Sequence, residues 1–285
     1  MSIVGIVIHH HRDLAVRQAR SLVDWLIERG DDVRMTELDS QTLGLDASVF
    51  PDEQFGEGLD LVVTLGGDGS ILRAVELIDG SPVPVLGVNV GELGYLAMVE
   101  PGEEQHAVEG FLAGHHEVEE RLMVQATVDR GGGLEVHHAL NEVVVERGAT
   151  STTIRLSVSI DDAYFHTYAA DGLIVSTATG STAYSLSARG PIVAPGLRAL
   201  LLTPVAPHQL FDRSLVLKPD STVRFEVSGH RGARLSVDGR TLSTLDKGHT
   251  VECTASPRTV RLVRFGDSTF HEVLKAKFGL ADVRE

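Results

Sequence analysis

A glycine-rich segment with one aspartate, Gly66-Gly67-Asp68-Gly69-Ser70, comes directly after an apolar run, Leu59–Leu65, that predicts a buried strand. Apolar residues then recur at helical spacing from Ile71 to Ile78. Glycines let an anion approach the backbone closely, and a helix N-terminus offers free N–H groups. This junction is therefore typical of a phosphate site, although it has neither the Gly-Lys-Ser/Thr of a Walker A loop nor the third glycine of a dinucleotide fingerprint.

Asp68 is an unexpected residue in a loop that binds phosphate, because its charge repels the ligand. A chemical role would explain it, since a carboxylate can hold Mg²⁺ or accept the proton of an attacking hydroxyl. The alternative is that the glycines form a tight turn and that Asp68 caps the following helix.

Two further segments carry polar groups at strand ends. Asn141-Glu142 interrupts an apolar strand region, and asparagine presents donors and acceptors that suit a base edge or a ribose. A surface pair at a strand edge is the alternative. Asp171-Gly172 precedes a hydroxyl-rich segment, Ser176–Ser187, with a helix expected to start near Ser181. Its hydroxyls and amides suit ribose, phosphate or a carboxamide, although an ordinary capped helix would use some of them too.

Together these segments resemble the NAD kinase family. The resemblance rests on GGDG at residues 66–69, NE at 141–142, DGLIVSTATGSTAYSLSA at 171–188, GPIV at 190–193 and RSLVL at 213–217. It covers essentially the whole chain in the same order, and TGSTAYS is a highly specific segment. The GGDG loop alone is not specific, because some lipid kinases and phosphofructokinases have similar loops.

The resemblance implies an enzyme that transfers the γ-phosphate of ATP, or of polyphosphate, to the adenosine ribose 2′-hydroxyl of NAD. It implies Mg²⁺ that comes with the donor phosphates, with no metal site fixed by the protein. Asp68 would be the catalytic residue that accepts the 2′-hydroxyl proton. Gly66, Gly67 and Gly69, with Arg73 just beyond them, would bind the donor phosphates. The implied NAD-binding residues are Asp68, Gly69, Tyr95, Asn141, Glu142, Asp171, Thr179, Thr182, Ala183, Tyr184, Ser187 and Ala206.

Some positions depart from the family pattern. Ala178 replaces the proline of the usual TPTGSTAY, and Arg189 replaces a glycine of the usual SAGGPI. Losing the proline loosens the loop slightly. The arginine could contact phosphate, change the choice between NAD and NADH, or point to solvent.

The elements around these segments predict an α/β N-terminal domain with a Rossmann-like parallel sheet and a mostly-β C-terminal domain. Buried apolar runs such as 2–8 and 59–65 alternate with helical patterns up to about residue 118. Short strand patterns separated by turn signals then follow. A helix expected over Ser268–Phe278 would pack back on the first domain. We therefore expect a phosphate-donor domain at 1–118 plus about 262–285 and an NAD-binding domain at 119–261.

Charge and composition limit the classes of molecule that the protein can bind and the compartments in which it can act. The 285 residues carry a formal net charge of −15, and residues 1–120 contain 23 acidic and six basic side chains. An acidic chain is a poor match for nucleic acid. No apolar run is long enough to span a membrane, no secretion signal is evident, and a single cysteine cannot form an internal disulfide. We expect a cytoplasmic enzyme, and the family resemblance implies a homodimer or homotetramer with shared sites, to which Ala206–Leu210 could contribute.

Two other functions stay open at this point. A lipid kinase could use the same GGDG loop, although TATGSTAY and the absence of a basic or amphipathic membrane-facing segment argue against it. A regulatory module could bind NAD or NADH without catalysis, although an intact GGDG loop argues against it.

Overall fold

The fold is seen in a computed structural model that describes residues 1–45, 48–148, 152–266 and 269–280. It divides into two compact units, unit 1 with Met1–Glu120 and Val260–Glu285, and unit 2 with Arg121–Thr259. The boundaries expected from the sequence lie close to these, and the role expected of each unit stays a prediction.

Unit 1 is built on a parallel sheet. Its strands are β1 (Ile3–Ile8), β2 (Asp32–Thr36), β3 (Ser48–Phe50), β4 (Leu61–Gly66) and β5 (Pro84–Asn89). Their order in the sheet is β3-β2-β1-β4-β5, and every pairing is parallel. The predicted parallel α/β domain is confirmed. Because β1, β4 and β5 are adjacent and parallel, the loops after their carboxyl ends meet at one edge, where ligands bind in such sheets.

Helices cover this sheet. They are α1 (Asp13–Glu28), α2 (Glu37–Leu43), α3 (Asp68–Ile78) and α4 (Glu104–Leu112). The apolar face of α1 is fully buried, as its spacing predicts: Ala15, Ala19, Leu22, Val23 and Leu26. The sequence pattern does not predict α2, a seven-residue helix. The Thr36 side chain caps its start and accepts a hydrogen bond from the Asp39 N–H. Its polar sequence has no apolar periodicity to detect.

Unit 2 is mostly antiparallel β-structure, as predicted. Strand β6 (Glu117–Asp129) begins in unit 1 and continues into unit 2. The elements after it are β7 (Leu134–Ala139), β8 (Glu142–Arg147), β9 (Ile154–Ile160), β10 (Ala163–Ala170), β11 (Gly172–Thr177), the short helix α5 (Tyr184–Ser187), β12 (Leu200–Val205), β13 (Leu215–Leu217), β14 (Val223–Val227), β15 (Ala233–Val237), β16 (Arg240–Leu245) and β17 (Thr250–Arg264). One sheet has the order β13-β12-β11-β8-β15-β16, and its residues share an apolar core with β9 and β14.

The last helix of the described chain, α6 (Phe270–Phe278), lies in unit 1. A capping box joins Thr269 and Glu272 at its start, while Ser268 lies outside the described residues. The helix packs against Tyr95, whose ring lies 6.4 Å from that of Phe270 and 4.4 Å from the Lys277 Nζ. The predicted helix on the first domain is confirmed. No described helix is both long and apolar enough to cross a membrane.

Candidate active site

The glycine loop joins β4 to α3 and has open space beside two of its glycines. A Cβ built on Gly66 would lie 2.1 Å from the Ser70 Oγ, so only glycine fits there. Cβ atoms built on Gly67 and Gly69 meet no atom within 4 Å. The backbone at these two positions is therefore accessible to a ligand, as a phosphate loop requires.

Asp68 does not cap its own helix. Gly67 is the N-cap residue, and the Asp68 carboxylate turns to the segment after β5. Its Oδ2 lies 2.8 Å from the Tyr95 N, and its Oδ1 lies 3.0 Å from the Leu96 N and 3.4 Å from the Ala97 N. The capping interpretation is therefore wrong, and backbone N–H groups fix the orientation of the carboxylate.

Gly94 makes this arrangement possible. A Cβ at Gly94 would lie 2.1 Å from the Asp68 Oδ1, so any other residue would displace the carboxylate. The backbone N–H of the neighbouring Tyr95 donates to Asp68. Burial and, to a smaller extent, the charge of Asp68 raise the pKa of the Tyr95 phenol. The Leu93-Gly94-Tyr95 segment thus contributes a fixed backbone as well as a ring.

In the structure, Arg73 forms an ion pair with a carboxylate, that of Asp39. Its Nη1 and Nη2 lie 2.9 Å from Oδ1 and Oδ2 of Asp39, whose side chain is fully buried. The Nη2 also lies 3.0 Å from the Thr36 Oγ1. This bidentate pair neutralises the guanidinium and fastens α3 to α2. The phosphate contact expected of Arg73 stays a prediction, with Asp39 as a competing partner.

In unit 2, an aspartate that the sequence analysis missed holds the Asn141-Glu142 segment. Asp238 is half-buried directly after β15 and accepts the backbone N–H groups of Leu140, Asn141 and Glu142, at 2.7, 2.8 and 3.0 Å. Asp238-Gly239 resembles an ordinary turn in the sequence, because its partners lie almost a hundred residues away. This carboxylate fixes both residues that were predicted to recognise adenosine.

Glu142 is buried at the start of β8, so it is not a surface residue. Burial and then the charge of Asp238 raise the pKa of Glu142 to about 8. A backbone hydrogen bond from Tyr184 lowers the pKa and so opposes this shift. Burial also raises the pKa of Asp238, but three N–H donors oppose that effect. The proton of this pair therefore belongs on Glu142, which is then a hydrogen-bond donor at neutral pH. Its Oε2 is buried without a partner among the described residues.

The hydroxyl-rich segment packs directly on Asn141. A Cβ built on Gly180 would lie 2.1 Å from the Asn141 carbonyl oxygen, so only glycine allows this contact. The Asn141 carbonyl also accepts the Thr177 N–H at 2.9 Å. The expected helix near Ser181 is a single turn of 3-10 helix, Thr179–Thr182, followed by α5.

Other predicted residues of this segment surround the same point. Thr179 is buried and accepts a hydrogen bond at 3.2 Å from Arg121, a fully buried arginine that the sequence did not single out. Thr182 donates to the Thr179 carbonyl at 3.2 Å, and the Ala183 N–H donates to the Gly180 carbonyl at 3.0 Å. The Tyr184 and Ser187 side chains are exposed.

Asp171 directly precedes β11, and Ala206 directly follows β12, its neighbour in the same sheet. The Asp171 N–H donates to the Val205 carbonyl at 3.0 Å, and its Oδ1 pairs with the Arg147 Nε at 3.2 Å. Burial, then the charge of Glu146 and then that of Asp171, raise the pKa of the Tyr184 phenol. Asp171 therefore lies near that phenol. Ala206 is exposed, with a positive φ of 43°.

No cluster of three or more histidine, cysteine or acidic side chains that could hold a metal occurs among the described residues. A Mg²⁺ ion bound with substrate phosphates needs only one or two carboxylates, because water and phosphate oxygens complete its octahedral shell. Asp68 could supply one such oxygen, so the residues present fit an ion that comes with its donor.

Two sequence families match the chain. The ATP-NAD kinase N-terminal domain matches residues 4–116, and the ATP-NAD kinase C-terminal domain matches residues 140–265. The NAD kinase of Heliobacterium modesticaldum is 42% identical over 281 residues, covering 97% of this chain and 98% of its own. The NAD kinase of Syntrophotalea carbinolica is 38% identical over 283 residues, covering 98% and 99%.

Solved structures share the fold. A yeast NADH kinase complexed with NADH has a TM-score of 0.92 at 24% identity, covering 100% of this chain and 89% of its own. An NAD kinase from Archaeoglobus fulgidus in complex with ATP has a TM-score of 0.72 at 23% identity, covering 97% of each chain. From the family matches and the identity to curated relatives along almost its whole length, the chain belongs to the NAD kinase family.

Proposed function

We propose that this protein is an NAD kinase that transfers the γ-phosphate of ATP to the 2′-hydroxyl of the adenosine ribose of NAD, giving NADP and ADP. The observation that carries the proposal is the match to curated NAD kinases at 42% and 38% identity over nearly the full chain. The intact GGDG loop and the fixed Asp68 carboxylate support catalysis over a purely regulatory role.

In the proposed reaction, the ribose O2′ forms a bond to the γ-phosphorus while the bond from that phosphorus to the β,γ-bridging oxygen breaks. Asp68 accepts the O2′ proton, and ADP leaves. A ribose hydroxyl is a far weaker acid than a carboxylic acid, so Asp68 does not remove its proton before the bond to phosphorus forms. Proton transfer is therefore late, when the new O–P bond has already made the hydroxyl acidic. Positioning supplies most of the catalysis, as is usual for phosphoryl transfer.

The donor phosphates bind at the glycine loop in this proposal. The open backbone at Gly67 and Gly69, at the start of α3, supports this role. A Mg²⁺ ion bound to the ATP phosphates would neutralise charge on the transferred phosphoryl group. Inorganic polyphosphate presents the same linked phosphates and is the alternative donor.

For the dinucleotide, we propose that Asn141 and Glu142 bind adenosine. Their backbone is fixed by Asp238, and a protonated Glu142 donates to a ribose oxygen or a base nitrogen. The other proposed NAD-binding residues are Gly69, Tyr95, Asp171, Thr179, Thr182, Ala183, Tyr184, Ser187 and Ala206. The packing of Thr179, Gly180 and Tyr184 around the Asn141-Glu142 segment supports this set.

We also propose a cytoplasmic homodimer or homotetramer. Large apolar side chains are exposed together near the end of β12, where Leu210 is fully exposed and the Phe165 and Phe211 rings lie 5.8 Å apart. Such a patch is typical of an interface. The single cysteine, Cys253, is buried, which suits a reducing compartment.

The decisive assay incubates the protein with NAD, ATP and Mg²⁺ and reads the product with an NADP-specific dehydrogenase. We expect NADP formation that requires both substrates. Parallel reactions with NADH and with polyphosphate define the acceptor and the donor. Binding of NAD without any NADP formation would identify a regulatory module instead, and a diacylglycerol reaction under the same conditions tests the lipid-kinase alternative.

A further inference from the structure

Arg12 lies at the same sheet edge as the glycine loop. It is the residue before α1, directly after the loop that leaves β1. The β1 and β4 strands pair in parallel, and the His9 N–H continues the ladder by donating to the Leu65 carbonyl at 2.9 Å. The β1 loop is therefore held beside the residues that lead into the glycine loop.

The Arg12 side chain points across this edge to the segment after β5. Its Nη1 donates to the Val90 carbonyl, and the Val90 N–H donates to the Gly66 carbonyl at 2.8 Å. A Cβ at Gly91, which has a φ of 145°, would overlap with the Arg12 guanidinium. The guanidinium therefore has a fixed position, and a single residue, Val90, connects it to the glycine loop.

The charge of Arg12 is not neutralised by the described protein. No carboxylate of the described residues pairs with it, and its side chain is half-buried. Arg73, the other arginine near the loop, has both Nη atoms on Asp39. Residues 1–120 contain six arginines and no lysine against 23 acidic residues, so basic side chains are few in this part of the chain.

We propose that Arg12 binds the phosphates of the donor, with the remaining N–H groups of its guanidinium directed at the phosphates beyond the glycine loop. A guanidinium suits this role because its planar fork donates two parallel hydrogen bonds to phosphate oxygens. The Val90 carbonyl accepts one N–H of the guanidinium and thereby fixes the direction of the others. This inference rests on the proposed function and assigns the triphosphate contact to Arg12 rather than to Arg73.

The test compares Arg12→Gln, Arg12→Lys and a matched control, Arg17→Gln, which removes an exposed arginine from α1. We expect Arg12→Gln to raise the KM for ATP by roughly tenfold to a hundredfold, the effect of losing a charged hydrogen-bond pair. The KM for NAD stays near the wild-type value. Arg12→Lys, which keeps the charge but not the fork, gives an intermediate KM for ATP, and Arg17→Gln behaves as wild type.

Calorimetric binding of inorganic tripolyphosphate gives a readout without catalysis. We expect Arg12→Gln to weaken this binding by the same factor and to reduce its salt dependence. A Tm loss with both KM values raised alike would show that Arg12 only holds the β1 loop, and an unchanged KM for ATP would also overturn the inference. If wild-type enzyme binds tripolyphosphate through Arg12 yet makes no NADP, the proposed function fails while this inference stands.

Discussion

The orientation of the Asp68 carboxylate depends on residues outside its own helix. Backbone N–H groups of Tyr95 and Leu96 hold it in one orientation, which favours a defined contact with a hydroxyl. Gly94 allows this geometry because it has no Cβ. A fixed carboxylate suits phosphoryl transfer, in which positioning supplies most of the catalysis.

A double-mutant cycle tests this dependence. We expect Asp68→Asn to lower kcat by roughly 10²–10⁴, the range for loss of a general base, with little change in NAD affinity. Gly94→Ala should also lower kcat, because its Cβ displaces the carboxylate. Steady-state kinetics of the double variant should match Asp68→Asn alone, since both changes act through one group. Additive losses would show that Gly94 acts elsewhere, and near wild-type turnover of Asp68→Asn would exclude the proton-acceptor role.

Arg189 is a second case in which the backbone explains a family pattern. Its φ is 65°, a left-handed conformation that costs a side-chain-bearing residue energy, at a position where the family commonly has glycine. Its side chain is exposed.

We therefore expect Arg189→Gly to raise the free energy of unfolding by about 0.5–1 kcal/mol, as measured by urea denaturation. Ala188→Gly is the matched control, because Ala188 has a negative φ of −84°, and glycine there should destabilise the protein. A less stable Arg189→Gly variant would mean that the arginine makes a contact stronger than its backbone cost.

At the scale of elements, the sequence predicts what repeats or lies close along the chain. The buried strands of unit 1, the apolar face of α1 and the glycine loop follow from local patterns. The contacts of Asp68 with Leu96 and of Asp238 with Asn141 join loops distant in sequence, so no local pattern contains them. For Asp68 the local pattern also allows a helix cap, because aspartate is a common residue at the start of a helix.

The pairing of β8 with β15 buries Glu142 beside Asp238 and makes stability depend on pH. The pKa of Glu142 is raised from 4.5 to about 8, so the folded state keeps a proton that the unfolded state releases. The contribution of this group is fully present below pH 4.5 and is lost as pH rises toward 8, by up to about 1.4 kcal/mol per pH unit.

Glu142→Gln has no proton to lose at this position. We expect its free energy of unfolding, measured in urea from pH 5 to pH 9, to fall less with rising pH than that of wild type. Glu226→Gln, an exposed change on β14, should keep the wild-type slope. Parallel curves for wild type and Glu142→Gln would show that Glu142 is charged at neutral pH.

At the scale of the whole molecule, the proposed oligomer depends on exposed apolar residues of unit 2. Tyr164 and Phe165 on β10 lie in the same region as Leu210 and Phe211, and the Phe165 and Phe211 rings form an edge-on contact. The Gln209 Nε2 donates to the Thr167 carbonyl at 2.9 Å, which fixes this segment on β10. An ordered apolar patch of this kind is typical of a permanent contact with a second copy, because exposure to water is unfavourable.

We expect Leu210→Asp to convert the oligomer to smaller species, as measured by sedimentation velocity at micromolar protein. Leu134→Asp, which changes another exposed leucine, on β7, is the control and should leave the assembly intact. Since Ala206, close to Leu210 in the chain, is proposed to contribute to the NAD site of a neighbouring copy, dissociation should also raise the KM for NAD. A dissociated variant with wild-type kinetics would separate the two ideas, because the patch would then be an interface and each NAD site would be complete within one chain.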